Sequence, residues 1–152
     1  MRIHGLVATL VLCIAVAVPS QAQQTTAATE AQAVLTKAVA AFNARNYSAY
    51  EALFADDHEA YTGVYTPVRF VGKAQWMQFI RGLDNLAAAS YDQRQPVCRA
   101  YNSDVVLCNA YFVFSTTTKT GVTEVQTGRE STAVVKIGGR WLIANQHFSP
   151  MF

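Results

Sequence analysis

The stretch Gly128-Arg-Glu-Ser-Thr-Ala-Val-Val-Lys-Ile-Gly-Gly-Arg-Trp-Leu-Ile-Ala-Asn-Gln-His-Phe-Ser149 decides the fold, because it reads as a long β-hairpin. Val134, Val135 and Ile137 lead into Gly138-Gly139, a pair suited to the positive φ angles of a two-residue turn, and Trp141, Leu142 and Ile143 lead out. Counting outward from that turn, Ile137 faces Arg140 and His147 faces Glu130. Strand side chains alternate, so Glu130, Thr132, Val134 and Lys136 are expected to share one face with Trp141, Ile143, Asn145 and His147. A carboxylate opposite an imidazole is a candidate catalytic pair, His147 with Glu130. It is also a common way to satisfy a histidine.

Upstream, residues 91–101, 105–117 and 122–137 carry strand chemistry, broken by Asn102-Ser103-Asp104 and Lys119-Thr120-Gly121. With residues 141–148 they predict an antiparallel meander. The run 105–117 is apolar on both faces through Phe114, so it needs helices on one side and a second copy of the chain on the other. A three-residue loop at 102–104 pairs Tyr101 with Val105 and puts Cys98 opposite Cys108. The reading taken is a Cys98–Cys108 disulfide, with two separate buried thiols as the alternative.

Before the strands come helical patterns. Thr29 and Gln32 suit a capping box ahead of Val34, Leu35, Ala38, Ala41 and Phe42, with residues 23–28 as a frayed lead-in. Ser48 and Glu51 suit a second box, opening a short helix with Tyr50, Leu53 and Phe54 that Asp56-Asp57 ends. Residues 58–71, broken by Gly63 and Pro67, read as a short strand and a loop. After Gly72, Trp76, Phe79, Ile80 and Leu83 mark one face of a third helix interrupted by Gly82. Helices first and a curved antiparallel sheet after predict a single α+β domain over residues 23–152.

The chain begins as a secretory signal does. Arg2 and His4 precede an apolar run at 6–18, and Pro19-Ser20-Gln21-Ala22 ends in small residues, which places cleavage after Ala22. The run is shorter than the roughly 20 residues a membrane span needs, so the expected location is periplasmic or secreted, with no membrane attachment after removal of residues 1–22. An oxidising compartment favours the disulfide. A hydrophobic content of 51% over 152 residues supports a real core. The net charge is +2 with lysine and arginine scattered, which argues against nucleic-acid binding.

Metal chemistry lacks a ligand cluster, since His58 and His147 have no partner at ligand spacing, and no cofactor motif or serine-nucleophile motif occurs. What remains is a pocket between helices and sheet, for which Tyr50, Tyr61, Tyr65, Trp76, Tyr111, Arg129 and Asn145 are candidate ligand-binding residues beside Glu130 and His147. Arg129, expected among apolar neighbours, calls for a carboxylate, a ligand anion or solvent.

Asn46-Tyr-Ser-Ala-Tyr50, the stretch to Gly72, Cys108-Asn-Ala-Tyr111, Glu130-Ser131, Gly139-Arg-Trp141 and His147-Phe-Ser149 occur in an order that resembles the nuclear transport factor 2-like superfamily, which includes SnoaL-like cyclases and ketosteroid isomerases. They resemble most the association domain of calcium/calmodulin-dependent protein kinase II and its bacterial relatives. The resemblance implies a cone of three helices against a strongly bent sheet, a pocket inside, and dimers or larger rings through the outer sheet face. It also implies Tyr50, Glu130 and His147 at or beside the pocket. Thr62 stands where ketosteroid isomerases have a catalytic aspartate, and threonine cannot act as that base. Val113, Glu124 and Thr132 stand where the association domain has pocket arginines, and its glutamate and histidine fall near Thr62 and Trp76. Three functions follow as expectations: an exported, oligomeric binder of a small, partly apolar molecule; an isomerase, cyclase or dehydratase using His147; or a structural module with a filled cone.

Overall fold

In a computed structural model, which describes residues 21–63 and 68–151, three helices lie across a sheet of six strands. The elements are α1 (Gln21–Asn43), α2 (Tyr47–Glu51), β1 (Phe54–Thr62), β2 (Val68–Val71), α3 (Lys73–Gly82), a short 3₁₀ turn (Leu83–Asn85), β3 (Ala88–Ala100), β4 (Val105–Thr117), β5 (Thr123–Ile137) and β6 (Arg140–Pro150). The expected α+β cone is present. The expected signal segment lies outside the described residues except for Gln21 and Ala22, which open α1, and so does Tyr65.

The turns set the meander. Asp104 N–H donates to Asn102 Oδ1 at 2.8 Å and Tyr101 N–H to the Val105 carbonyl at 2.9 Å, closing the β3–β4 loop. Cys98 then faces Cys108, their Cα atoms 4.0 Å apart, and a disulfide joins them. Strand β4 alternates as a strand covered twice must: Val106, Cys108, Phe112 and Phe114 are buried under the helices, while Leu107 and Tyr111 point outward.

The sheet is mixed rather than wholly antiparallel. β1 runs parallel to β6 and takes the edge that the meander leaves open, with β2 folded back on β1, giving the order β2-β1-β6-β5-β4-β3. Phe54, Asp56 and Asp57 therefore belong to β1, not to a helix and its end. The short helix is α2 alone, and its cap is Asn46, whose side chain accepts from Ala49 N–H at 3.1 Å, in place of Ser48. At the start of α1 the lead-in is helical. Alanines Ala27 and Ala31 bury against the sheet, and Thr29 Oγ1 bonds back to the Thr25 carbonyl, so it sits inside the helix and caps nothing. Gly82 closes α3 instead of interrupting it. Trp141 Nε1–H donates to Glu30 at 2.8 Å, which ties α1 to the hairpin end of β6.

Two irregularities reorganise the site: a register shift in β3 between Arg94 and Val97, and one in the C-terminal hairpin. The hairpin keeps the expected register only from Ile137↔Arg140 to Val134↔Ile143, and then Ala133 pairs with Asn145. Ala144 is the extra residue of a β-bulge. Beyond it every side chain of β6 changes face, because the strand period is two. Glu130 faces Phe148, not His147, and His147 faces Ser131.

Candidate functional site

Between the helices and the concave face of the sheet lies a cavity of about 420 Å³. Its wall is aromatic and aliphatic: Phe42 and Leu35 from α1, Tyr50 from α2, Trp76, Phe79 and Ile80 from α3, and Tyr91, Phe112, Phe114, Ile143 and Phe148 from the sheet. These rings pack on one another, with Trp76 stacked on Phe148 at 6.1 Å and Tyr50 tilted against Phe54 at 4.7 Å. Phe112 reaches across β5 because Gly128 has no side chain; a Cβ there would stand 2.3 Å from the Ser149 carbonyl oxygen and 2.4 Å from the Phe112 ring.

The polar part of the wall centres on Glu130, which is only 3% exposed. Tyr91 Oη–H and Gln93 Nε2–H donate to its Oε2 at 2.5 and 2.7 Å, and Thr132 Oγ1–H and Gln146 Nε2–H to its Oε1 at 2.7 and 3.0 Å. Two donors on each oxygen fill the acceptor capacity of a carboxylate without any cation. All of these residues come from β3, β5 and β6, and Gln146 reaches Glu130 only because the bulge at Ala144 turned it inward. Burial pushes the Tyr91 hydroxyl above the usual phenol range, and the charge and hydrogen bond of Glu130 push it further. The Tyr50 hydroxyl is also raised, chiefly by burial; the hydrogen bond it accepts from Trp76 Nε1 at 3.3 Å opposes the shift and Glu130 adds to it.

Of the residues singled out from sequence, Tyr50, Trp76 and Glu130 line the cavity, as does Thr62. Tyr61, Tyr111, Arg129, Asn145 and His147 lie on the outer face. Arg129 is exposed between Tyr111 and Ser149, so water satisfies the need for a partner inferred from sequence. Asn145 lies opposite Ala133, and His147 is exposed, with Nε2 3.3 Å from Ser149 Oγ and its ring edge-on to Tyr61. The bulge accounts for Asn145 and His147, whereas Arg129 faces outward by alternation with its neighbour Glu130, and the bulge changes only its partner, from Phe148 to Ser149. Tyr61 and Tyr111 follow from strand alternation: Arg69 lies over the Tyr61 ring and pairs with Glu59 at 2.6 Å. The catalytic pair expected from the register is not formed.

Sequence reasoning missed Tyr91, Gln93 and Gln146. Tyr91 and Gln93 lie on β3 opposite Phe114 and Phe112, whereas counting from the 102–104 loop would set them opposite Ser115 and Val113 on the outer face; a register shift between Arg94 and Val97 turns them inward. It also missed His58, which is 0% exposed between Phe54 and Trp76, at ring distances of 4.8 and 5.8 Å. Its nitrogens approach the main chain of Ala144 and Ile143 at the bulge without a hydrogen bond of good geometry. Burial lowers its pKa to about 4, against smaller opposing effects of that main chain and of Asp57 and Glu59. No lysine, arginine or histidine lines the cavity among the described residues, and none of them form a group of metal-ligating side chains.

Comparison with known proteins agrees with this architecture. The SnoaL-like domain family matches residues 31–152. No curated protein matches the sequence. Among solved structures, a candidate scytalone dehydratase from Novosphingobium aromaticivorans superposes with a TM-score of 0.77 at 10% identity, covering 88% of this chain and 89% of that one. A candidate calcium/calmodulin-dependent protein kinase II association domain from Xanthomonas campestris gives 0.69 at 20% identity, covering 80% and 86%. A nuclear transport factor 2-like superfamily protein from Salmonella enterica gives 0.73 at 17% identity, covering 84% and 93%. At these identities the likeness is one of fold.

Proposed function

We propose that this chain, which belongs to the SnoaL-like domain family, binds a small, largely apolar molecule inside its cone. The observation that carries the reading is the cavity of about 420 Å³, walled by aromatic rings around one hydrogen-bonded carboxylate. A purely structural module would fill that space with its own side chains. The test is uptake of the neutral fluorophore N-phenyl-1-naphthylamine. Saturable binding of one molecule per chain is expected, with loss in Ala38→Phe, which projects a ring into the cavity from α1; absence of saturable binding to the native protein refutes the reading.

In the same proposal the protein is exported, with residues 1–22 removed after Ala22, and it self-associates through the outer sheet face. The Cys98–Cys108 bridge supports an oxidising compartment. Exposed Val97, Leu107, Tyr111 and Val125 on that face support association. Mass analysis of the secreted product and light scattering at micromolar concentration test these two points; an uncleaved product or a clean monomer would contradict them.

A catalytic reading, of the isomerase or dehydratase kind, passes through Glu130 and Tyr91, because they and not His147 border the cavity. Exchange of the α′- or γ-protons of small enones in deuterated water, lost in Glu130→Gln, is its signature.

A further inference from the structure

Resting on the binding reading above, we infer that the cone's ligand is an organic cation without N–H groups, of the quaternary ammonium type, which serves as the counter-charge of Glu130. The starting point is an imbalance of charge. Glu130 is 3% exposed, and among the described residues it makes no ion pair. A glutamate this deeply buried is as a rule paired with a cation, because a lone charge away from water is costly. Here all four partners are neutral, and all four donate, the arrangement of an ionised carboxylate, which only accepts. Glu130 borders the cavity, which no lysine, arginine or histidine lines among the described residues. The Tyr50 hydroxyl, held above the usual phenol range chiefly by burial, is raised further by Glu130 although the two share no hydrogen bond, so the charge is felt across the cavity.

The wall decides which kind of cation. A primary ammonium brings N–H donors that need acceptors, and both oxygens of Glu130 are already occupied; it also gives up a tightly held hydration shell on entry. A quaternary ammonium has no N–H to satisfy. It presents a methyl surface to the rings, and its attraction to ring faces and to a nearby carboxylate requires no hydrogen bond. The rings enclose the space from helices and sheet at inclinations from stacked to perpendicular, with Trp76 at 11° to Phe148, and Phe42 and Phe148 at 77° and 88° to Tyr91. A charge placed among them meets ring faces as well as edges. An anion would meet the reverse, electron-rich faces and an unbalanced carboxylate with little screening between. A neutral ligand would leave Glu130 without a counter-charge.

The experiment is displacement of the bound fluorophore by four benzyl compounds: benzyltrimethylammonium, its neutral isostere neopentylbenzene, benzylammonium and phenylacetate. Benzyltrimethylammonium is expected to bind about tenfold more tightly than neopentylbenzene, the scale of a desolvated cation–π contact. Benzylammonium binds more weakly than the quaternary cation, and phenylacetate does not displace. In Glu130→Gln the ratio of the first two affinities falls toward one. The comparison of the two isosteres in the native protein stands even where that variant fails to fold. Equal or reversed affinities of the isosteres, benzylammonium ahead of the quaternary cation, displacement by phenylacetate, or a ratio that survives in folded Glu130→Gln overturns this inference and leaves small-molecule binding intact. Failure of the fluorophore and of all four compounds to bind overturns both.

Discussion

Acidification is expected to destabilise this domain, and the largest contribution comes from one buried residue, His58. Its imidazole is enclosed by Phe54 and Trp76 with no hydrogen-bond partner, and burial lowers its pKa from the ordinary 6.5 to about 4. The unfolded chain takes up the proton first, near pH 6.5, while the folded chain resists until about pH 4. Stability from keeping the ring neutral is thus fully present above pH 6.5 and is lost as pH falls through that window. Roughly 2.5 pH units at about 1.4 kcal/mol each give a full loss of about 3.5 kcal/mol, of which about 3 kcal/mol is gone by pH 4, a large fraction of the roughly 5–15 kcal/mol typical of whole domains. Urea unfolding of the native protein and of His58→Phe, at pH 7, 5.5 and 4, isolates the effect. Phenylalanine keeps an aromatic ring in the stack, and groups such as Asp56 and Glu59 titrate in both proteins. The native protein is expected to lose about 3 kcal/mol more than the variant between pH 7 and 4. Parallel pH profiles would refute the reasoning, whatever the offset between the two proteins at pH 7.

Other expectations follow from the same geometry. Glu130→Gln places an amide N–H₂ against two existing donors and should cost about 2–3 kcal/mol in urea unfolding; an unchanged midpoint would mean the network contributes little. Gly128→Ala forces β5 away from Ser149 and Phe112, and thermal unfolding should record a loss of at least ~2 kcal/mol. Replacing Cys98 and Cys108 together by serine removes a cross-link spanning 10 positions and should cost about 3 kcal/mol under non-reducing conditions. Diethyl pyrocarbonate should modify His147 quickly and leave His58 untouched until the protein unfolds, as peptide mapping would show; rapid reaction at both would contradict the buried placement of His58.

The antiparallel core of the sheet was legible because its signals are local. Gly138-Gly139 supplied the turn, Asn102-Ser103-Asp104 a loop of known length, and from that length the Cys98–Cys108 pairing followed by counting. Tyr50 and Trp76 were legible as cavity residues because each lies in a well-marked helix, and Glu130 because β5 itself alternates without a break, although its partner across the hairpin was not. The parallel entry of β1 was not, since a strand's partner lies far away in the chain and its own residues do not name it. Nor was the burial of His58, whose polar neighbours Asp56 and Asp57 read like a helix end.

What the sequence determined by itself was therefore the set of elements, their order, and the register near each turn. The tertiary structure decided which side of the sheet the C-terminal residues face. In Ile143-Ala-Asn-Gln-His-Phe148 either alternation puts some apolar and some polar groups inward, so local pattern does not choose between Asn145 with His147 and Gln146 with Phe148. The choice is made where β6 is held at once by β5 on one side and β1 on the other, and the extra residue Ala144 absorbs the mismatch. One inserted residue turns His147 out to water and brings Gln146 to the buried carboxylate of Glu130, because a strand repeats every two residues and a shift of one exchanges its faces.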